Sequence, residues 1–380
     1  MKILNNEMKN NILFITNQIV YPPSDGGKKI ALSMIMNLHA SGNKVVVLSF
    51  NLLDKNEKEA QSFFFDRGIE FIAVKPKNSS RRKKFFLYVL DYFFGMFSKL
   101  PRYVQNRLDP KIGGKIKHIV DMYKINLIYL DSLWISEHVD SNYYNVTYLI
   151  EHNIEYILSK ELAKCEKNPI KKILYYFETL RIYFYEKNIL SKFPNIIFLS
   201  SYDKTFAINK FKLDSSNCIL NNNKIFIDYS IKHLGDGNFI LFTGSLLFLP
   251  NLEGLLWFLR NCYSTILSYH PNLVLKITGA YNKKIKNKIT KKYKNVIFTG
   301  FVSDEKMKEL LTHCKCIISP ILSGSGIKIK NLEAIQLGIP IVMTEFSARG
   351  IDKVNENKIK FCKTNTPEEF TFKLLEILDY

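Results

Sequence analysis

The feature that most constrains the fold of this 380-residue chain is a repeated alternation of short apolar runs with helical patterns. The first apolar run, Asn11–Thr16, is typical of a buried strand, and further strands are predicted at 44–50 and 69–74 with helices between them. Strands that alternate with helices in this order favour a parallel sheet with helices on its faces. The chain is therefore predicted to be an α/β protein built on doubly wound parallel sheets.

The alternation is interrupted once and then starts again. Residues 221–237 are rich in Asn, Lys and Gly, which is typical of a junction between domains, and a new apolar run begins at Phe239. At 380 residues the chain is also longer than one ordinary core supports. We predict two α/β domains, at residues 1–222 and 223–380.

Composition and charge limit the classes of partner. Lys and Arg number 54 against 35 Asp and Glu, and the net charge of +19 favours nucleic acid, acidic lipid or a phosphorylated small molecule. No zinc-finger spacing, RNA-binding aromatic signature or helix-turn-helix pattern accompanies the charge, so we predict no nucleic-acid partner. The six Cys residues form no CxxC pair, which is typical of a reducing cytosol, and we expect a cytoplasmic protein without a bound metal.

An anionic membrane surface is a candidate partner of residues 81–97. The basic run at 81–84 precedes an aromatic segment, and no window of the chain offers the roughly 20 apolar residues of a membrane span. A basic cluster beside an aromatic helix is typical of a peripheral anchor on the inner face of a membrane. A core helix that follows a polar loop is the alternative, and both interpretations stay open.

The stretch 323–340 has the pattern of a glycine-rich turn that opens a helix. Gly324 and Gly326 flank Ser325 directly after an apolar run at 316–319, which is predicted to be a buried strand. Such a turn leaves the first amides of the helix free and places the positive end of the helix dipole there. The sequence therefore predicts an anion-binding site at this turn.

The helix that follows is predicted at 327–337 and carries two charged residues on one face. Lys330 and Glu333 are three residues apart, so they are neighbours on the helix surface. One cation and one carboxylate behind an anion site could hold a phosphate together with a pair of sugar hydroxyls. An ordinary crossover helix with a solvated Lys–Glu pair is the alternative.

Two candidate sites lie at strand ends in the first half. Gly26 and Gly27 follow the first strand in a loop before a helix predicted at about 30–41, at the edge where open α/β sheets bind ligands. His152 follows a strand predicted at 146–150 and is expected at the same edge. A plain tight turn at the glycines and a packing role for the histidine are the alternatives.

In their order and spacing, short motifs along the chain resemble those of the family 4 retaining glycosyltransferases. The resemblance covers about 11–351, nearly the whole chain. The motifs are DGG at 25–27, HNIE at 152–155, YE at 185–186, SSYD at 200–203, FTGS at 242–245, LPN at 249–251, ITG at 277–279, TGFVSD at 299–304, GSG at 324–326, KIKNLEA at 328–334 and GIPIV at 338–342. Members of that family have the GT-B fold, in which two Rossmann-like domains face each other across a cleft.

The resemblance implies transfer of a sugar from a nucleotide-diphosphate sugar to a hydroxyl of a glycan or lipid-linked acceptor, in bacterial surface polysaccharide synthesis and without a cofactor. It implies catalytic roles for His152, in contact with the transferred sugar or the developing charge, and for Lys330, which would stabilise the departing diphosphate. It also implies front-face attack without a metal. The substrate-binding residues that it implies are Gly26, Gly27, Gly244, Ser245, Asn251, Gly300, Val302, Gly324, Ser325, Gly326, Ile327, Lys328 and Glu333.

The sequence departs from the family at two points. The family has a Glu-x7-Glu signature whose second glutamate matches Glu333, but Ser325 stands where the first is expected. The usual Arg and Lys after the strand at Phe239 are also missing. The resemblance then implies that Lys328 and Lys330 supply the missing cationic stabilisation. A non-catalytic GT-B protein that binds nucleotide sugars or serves in an assembly is the alternative function.

Overall fold

The computed structural model describes residues 9–52, 56–76, 98–166, 168–221, 230–324, 326–351 and 366–379. The chain divides into two compact units, an N-terminal unit, Met1–Phe226, and a C-terminal unit, Ile227–Tyr380. Each contains one parallel sheet with helices, so the predicted α/β class is confirmed. The candidate membrane segment 81–97 and the candidate residue Ser325 lie outside the described residues.

Seven parallel strands form the sheet of the N-terminal unit, in the order β3-β2-β1-β4-β5-β6-β7. The strands are β1 (Asn11–Thr16), β2 (Lys44–Phe50), β3 (Glu70–Val74), β4 (Leu127–Leu130), β5 (Thr147–Glu151), β6 (Asn195–Phe198) and β7 (Cys218–Leu220). Central strands such as β1 are buried on both faces because helices cover both sides of the sheet. This explains why their sequences are continuous apolar runs.

The described helices of the N-terminal unit begin at polar caps or at proline in several cases. Asp25, Asp109 and Asn168 each accept a hydrogen bond from a backbone amide of the first turn, which stabilises the helix start. The helices are α1 (Gly26–Ala40), α2 (Glu57–Phe65), α3 (Arg102–Gln105), α4 (Pro110–Tyr123), α5 (Glu155–Cys165), α6 (Pro169–Lys192) and α7 (Ser201–Phe211).

Five parallel strands form the sheet of the C-terminal unit, in the order β10-β9-β8-β11-β12. The strands are β8 (Phe239–Thr243), β9 (Val274–Thr278), β10 (Val296–Gly300), β11 (Ile317–Ser319) and β12 (Ile341–Met343). Alternate residues of β8 enter different apolar clusters: Ile240 and Phe242 pack in one, whereas Phe239 and Leu241 pack in the other. The sheet therefore separates two layers of core.

Helices connect these strands and close the C-terminal unit. They are α8 (Leu249–Asn261), α9 (Tyr263–Tyr269), α10 (Lys283–Lys292), α11 (Asp304–His313), α12 (Ile329–Gln336) and α13 (Pro367–Leu378). In α13, Phe370 and Leu374 are fully buried in the same apolar cluster as Phe242. Among the described residues, no helix is both long and apolar enough to cross a membrane.

Two helix starts differ from the sequence prediction, in opposite directions. The helix expected from about residue 30 begins at Gly26, because the Asp25 side chain accepts from the amide of Lys28 and draws both glycines into the first turn. The helix expected at 327–337 begins two residues late, at Ile329. There, Gly326 has a φ of 69° and Lys328 is extended, so the chain is still a loop at these positions.

Candidate functional site

In the C-terminal sheet the strand order reverses between β8 and β11. Strands β9 and β10 lie on one side of β8, and β11 and β12 lie on the other. Open parallel sheets bind ligands outside the carboxyl ends of the strands, at the point where the order reverses. The segments after β8 and β11 contain the predicted residues Gly244, Ser245 and Gly324. The topology thus brings these residues to the edge of the sheet where a ligand is expected.

Lys330 lies in the first turn of α12 and reaches the carboxyl end of β8. Its Nζ donates hydrogen bonds to the carbonyl oxygen of Thr243 at 3.0 Å and to Oδ1 of Asn251 at 3.3 Å, and lies 4.7 Å from the centroid of the Phe242 ring. Among the described residues, the contacts of this ammonium group are a carbonyl oxygen, an amide oxygen and an aromatic ring. All three groups are neutral. Burial, followed by the positive charge of Lys328, lowers the pKa of Lys330 to about 7.

Asn251 connects this lysine to the loop after β8. Its Oδ1 accepts from Lys330, while its Nδ2 donates to the carbonyl oxygen of Ser245 at 3.0 Å. One amide side chain therefore uses both of its ends, and the lysine and the loop hold fixed positions relative to each other. Asn251 lies near the start of α8, so a change in this helix would displace both.

The turn at Gly244 is too tightly packed for a side chain. Gly244 has a φ of 136°, and a Cβ there would lie 2.8 Å from Nδ2 of Asn251. A Cβ on Gly279, at the end of β9, would lie 2.5 Å from the carbonyl oxygen of Gly244. The two glycines let the loops after β8 and β9 pack backbone against backbone. A side chain at either position would push these loops apart.

The second predicted lysine occupies the loop after β11. Nζ of Lys328 donates to the carbonyl oxygen of Gly326 at 2.8 Å and lies 5.3 Å from the centroid of the Phe346 ring. Gly324, with a φ of 107°, packs beside Pro250 at the start of α8. The loop after β11 thus contacts the same helix that carries Asn251.

The other predicted residues of this unit lie around the same edge. The carbonyl oxygen of Gly300, the last residue of β10, accepts from the amide of Gly279 at 2.8 Å, and Val302 packs against the apolar cluster that contains Leu241. Ile327 and Glu333 are partly exposed. Because α12 begins at Ile329, the amides of residues 326–327 belong to the loop, and the helix start lies two residues beyond the predicted one.

A buried polar network connects Asn331 of α12 to the end of β11. Nδ2 of Asn331 donates to the carbonyl oxygen and to Oγ of Ser347, at 2.8 and 2.9 Å. The Ser347 hydroxyl also lies 2.7 Å from Oγ of Ser319, the last residue of β11. All three residues are fully buried, so α12 is tied to the strand from which its loop departs.

In the N-terminal sheet the order reverses between β1 and β4. Asp25, Gly26 and Gly27 follow β1, and Asp131 follows β4. His152, which follows β5, places its Nε2 2.5 Å from Oδ1 of Asp131. The exposed fractions of these two side chains are 18% and 6%. The predicted histidine is therefore at the ligand edge, and an aspartate orients its ring.

The pairing of Asp131 with His152 raises the pKa at which this pair gives up a proton. Burial lowers the pKa of His152, but the Asp131 carboxylate and its hydrogen bond, with Glu155 and Asp25, raise it more, and the net shift is upward. Burial raises the pKa of Asp131, against the opposing effect of His152. The pair as a unit therefore keeps one proton to a higher pH than an isolated histidine does.

Carboxylates from three of the recognised motifs cluster behind His152. Oε1 and Oε2 of Glu186 accept from the amides of Glu155 and Tyr156 at 2.7 and 2.9 Å, so Glu186 caps α5 from α6. Burial and then the charge of Glu186 raise the pKa of Glu151, and burial raises that of Glu155 to about 7. Asp203 is buried beside them and contributes to the same repulsion. The cluster fixes the backbone that follows His152.

Sequence reasoning missed Asp131 and the role of Asn331. Asp131 could have been found, because it directly follows the apolar run 127–130, which has the pattern of a buried strand. Asn331 offered no signal, since an asparagine within a helix pattern reveals no buried partner.

In the described ranges, no three His, Cys, Asp or Glu side chains form a group that could hold a metal ion.

Comparison with known proteins relates the C-terminal unit to one family. Residues 237–380 match the sequence model of the family described as "Glycosyl transferases group 1". A protein of Klebsiella pneumoniae, described as an uncharacterized 44.6 kDa protein in the cps region, is 26% identical over 355 residues, which cover 89% of this chain and 84% of that protein.

Solved structures with the same fold cover nearly the whole chain. A complex of S. aureus TarM with fondaparinux, α-GlcNAc-glycerol and UDP gives a TM-score of 0.65 at 12% identity, covering 97% of this chain and 93% of that chain. WaaG, described as a glycosyltransferase involved in lipopolysaccharide biosynthesis, gives a TM-score of 0.58 at 13% identity, covering 97% and 90%. At these identities the likeness concerns the fold, and it confirms the GT-B prediction. Residues 237–380 are thus similar in sequence to the group 1 glycosyl transferases, and the described fold is the one shared by these solved structures.

Proposed function

We propose that this protein is a retaining glycosyltransferase that moves a sugar from a nucleotide-diphosphate sugar to a hydroxyl of a glycan or lipid-linked acceptor. The observation that carries the proposal is the position of Lys330. Its ammonium group lies at the ligand edge of the C-terminal sheet among neutral oxygens, so the described residues leave its charge uncompensated. The UDP in the TarM complex is a ligand of the class that such a cation would recognise.

The reaction needs stabilisation of the charge that grows on the leaving diphosphate. A cation held in a partly buried site stabilises such charge more strongly than it does in water. Lys330 would contact the phosphates, and Lys328 would exchange its bond to the Gly326 carbonyl for a second phosphate contact. The tight turn at Gly244 and Ser245 would let main-chain amides approach the same group.

The remaining contacts to the donor are assigned by position. Glu333 would accept hydrogen bonds from the ribose hydroxyls, and Gly300 with Val302 would line the site of the base. In the N-terminal unit, Gly26 and Gly27 would contact the donor. His152, held by Asp131, would contact the transferred sugar.

We assign a front-face mechanism, in which the departing phosphate oxygen takes the proton of the acceptor hydroxyl. The bond from the anomeric carbon to the phosphate breaks as the bond to the acceptor oxygen forms on the same face, so the anomeric configuration is retained. The lysines would replace a metal ion in this step. Addition of a chelator should leave the rate unchanged, and loss of activity that Mg²⁺ or Mn²⁺ restores would contradict metal independence.

The direct test compares Lys330→Ala with Lys288→Ala. Lys288 is an exposed lysine of α10 that is not among the residues assigned to the site, so its loss controls for net charge. We expect the first variant to lose a charge-assisted contact of about 1.5–3 kcal/mol, a rate decrease of about tenfold to a hundredfold or more, and the second to retain its rate. Sugar transfer by Lys330→Ala at the rate of the unmodified protein would exclude the assigned role.

A non-catalytic nucleotide-sugar-binding or assembly protein is the second candidate. Ser325 in place of the first glutamate of the family signature favours it. A panel of nucleotide sugars, each incubated with the protein and candidate acceptors, separates the two functions. Release of nucleoside diphosphate supports the enzyme, whereas tight binding without release supports the second candidate.

The proposed setting is surface polysaccharide synthesis on the cytoplasmic face of a membrane. The cps region of the Klebsiella relative and the lipopolysaccharide role in the WaaG description favour it. Segment 81–97 would contact anionic lipid through its basic run. Sedimentation with anionic vesicles at low salt that Gln substitutions at 81–84 abolish would support this contact, and no effect of these substitutions would remove it.

A further inference from the structure

Two stacked aromatic rings lie at the ligand edge of the N-terminal sheet. The ring of Tyr103, in α3, stacks on that of Trp134 with 5.3 Å between centroids and 29° between planes. Trp134 belongs to the 3₁₀ helix Leu133–His138, which follows β4. Because the strand order reverses between β1 and β4, these rings are at the edge where open parallel sheets bind ligands.

The two rings differ in exposure. Tyr103 is 57% exposed, whereas Trp134 is 8% exposed and is part of the core of the unit. The buried indole holds the tyrosine from one side, so the tyrosine presents apolar ring surface and a hydroxyl group to solvent in a fixed position. The C–H face of a sugar ring packs well on such a surface.

Arg107 places an unpaired cation beside this exposed ring. Its Cζ lies 5.4 Å from the centroid of the Tyr103 ring, and its Nη1 donates to the carbonyl oxygen of Tyr103 at 2.9 Å. Among the described residues, its buried Nε has no hydrogen-bond partner and its guanidinium forms no ion pair. Burial lowers the pKa of Arg107, against the opposing effects of Tyr103 and Glu155, but an arginine stays charged at neutral pH. A partly buried charge of this kind favours an anion supplied by a ligand.

Arg67 makes the same local contacts at the other edge of the sheet. Its Nη1 donates to the carbonyl oxygen of Phe63 at 3.1 Å, and its Cζ lies 3.8 Å from the centroid of the Phe63 ring. Arg67 follows α2 and precedes β3, so it lies at the amino end of the strands, where no ligand is expected. It is therefore a matched comparison for Arg107.

Glu155 connects Arg107 to the candidate histidine. Glu155 stands three residues after His152, at the start of α5. Burial raises the pKa of Glu155 to about 7. His152 lowers this pKa, and so do a hydrogen bond from Trp134 and the charge of Arg107. One carboxylate thus interacts with the histidine, the indole and the guanidinium, so these groups are neighbours.

We propose that Tyr103 and Arg107 form a subsite for a sugar that carries a carboxylate or a phosphate, and that this sugar is the acceptor. The sugar ring packs on Tyr103, and its anionic group accepts hydrogen bonds from the guanidinium of Arg107. A hydroxyl of the same sugar then lies near His152. The assignment to the acceptor rests on the proposed function, in which the C-terminal unit holds the phosphates of the donor, whereas the binding of an anionic sugar does not.

The test measures the binding of small sugars by ligand-observed NMR titration without a nucleotide sugar. The probes are glucuronate, galacturonate, glucose 1-phosphate and galactose 1-phosphate, with the neutral methyl glycosides of glucose and galactose for comparison. We expect at least one anionic probe to bind at least about tenfold more tightly than its neutral counterpart, and Arg107→Gln to remove this difference. Arg67→Gln should keep it. A preference for the uronates identifies a carboxylate on the ligand, and a preference for the sugar phosphates identifies a phosphate.

The thermal midpoints of the variants show whether each one folds. Tyr103→Ser removes only an exposed ring, so it should fold and should also weaken binding of the preferred probe. The proposal is overturned if the unmodified protein shows no preference for anionic probes, if folded Arg107→Gln keeps the preference, or if Tyr103→Ser binds without change. Because no donor is present, an absence of sugar transfer would overturn the proposed function without changing this result.

Discussion

Binding of the donor should draw a proton from solution onto Lys330. In the ligand-free protein the pKa of this lysine is about 7, so about a tenth of the molecules carry its charge at about pH 8 and about nine tenths at about pH 6. A bound diphosphate within hydrogen-bond distance restores the charged form. We therefore expect uptake of about 0.9 proton on binding at about pH 8 and about 0.1 at about pH 6.

The affinity should follow the same linkage. Above pH 7 the protein must protonate Lys330 before it gains the contact, so the association constant falls by up to about tenfold, or 1.4 kcal/mol, for each pH unit. Below pH 7 the lysine is already charged and the dependence disappears. A nucleotide-diphosphate sugar suits this experiment because its phosphates are diesters and have no group that titrates near pH 7.

The assay is isothermal titration calorimetry in pairs of buffers with different ionisation enthalpies, which gives the number of protons taken up. Lys330→Gln should bind with little uptake at any pH, and Lys288→Ala should match the unmodified protein. Uptake below about 0.2 proton at about pH 8, or the same uptake in Lys330→Gln, would refute the argument. The proton would then be held elsewhere or the lysine would already be charged.

Three further predictions concern single residues. Glu333→Gln should weaken nucleotide-sugar binding without changing the thermal midpoint, and unchanged affinity in a titration would show that this carboxylate contacts no ligand. Gly244→Ala should lower the free energy of unfolding by about 1–3 kcal/mol in denaturant titrations, because of its φ of 136° and the contact with Asn251. Asp131→Asn should lower the pKa of His152 in an NMR titration, since the raised pKa depends on that carboxylate. The histidine's contribution to stability, present below its unfolded pKa and lost as pH rises through the folded one, should shrink with it; an unchanged titration would contradict the pairing.

The alternation of strands and helices along the chain could be predicted from local patterns, whereas the ends of the helices could not. An apolar run such as Asn11–Thr16 is buried whatever it packs against. Its own residues are therefore enough to predict a buried strand. The start of a helix depends on a few backbone groups. Capping by Asp25 makes α1 begin earlier than predicted. The loop conformation at Gly326 and Lys328 makes α12 begin later than predicted.

The candidate site shows the same difference between what local sequence predicts and what only the structure reveals. Motif order predicted Lys330, Asn251 and Gly244 as candidate site residues, because the spacing of motifs along the chain can be seen in the sequence alone. The hydrogen bonds among these residues could not be predicted from motif order. That Lys330 contacts neutral oxygens, and therefore has a lowered pKa, depends on which atoms α8 and β8 bring to its amine.

The sequence by itself determined that this protein has two parallel α/β sheets and that Gly324 follows the end of a strand, because periodicity and glycine placement act locally. Only the tertiary structure paired Asp131 with His152 and stacked the exposed ring of Tyr103 on Trp134. Both outcomes depend on burial and on contacts between residues distant along the chain. Such contacts set the charge state of a side chain and the surface that remains for a partner.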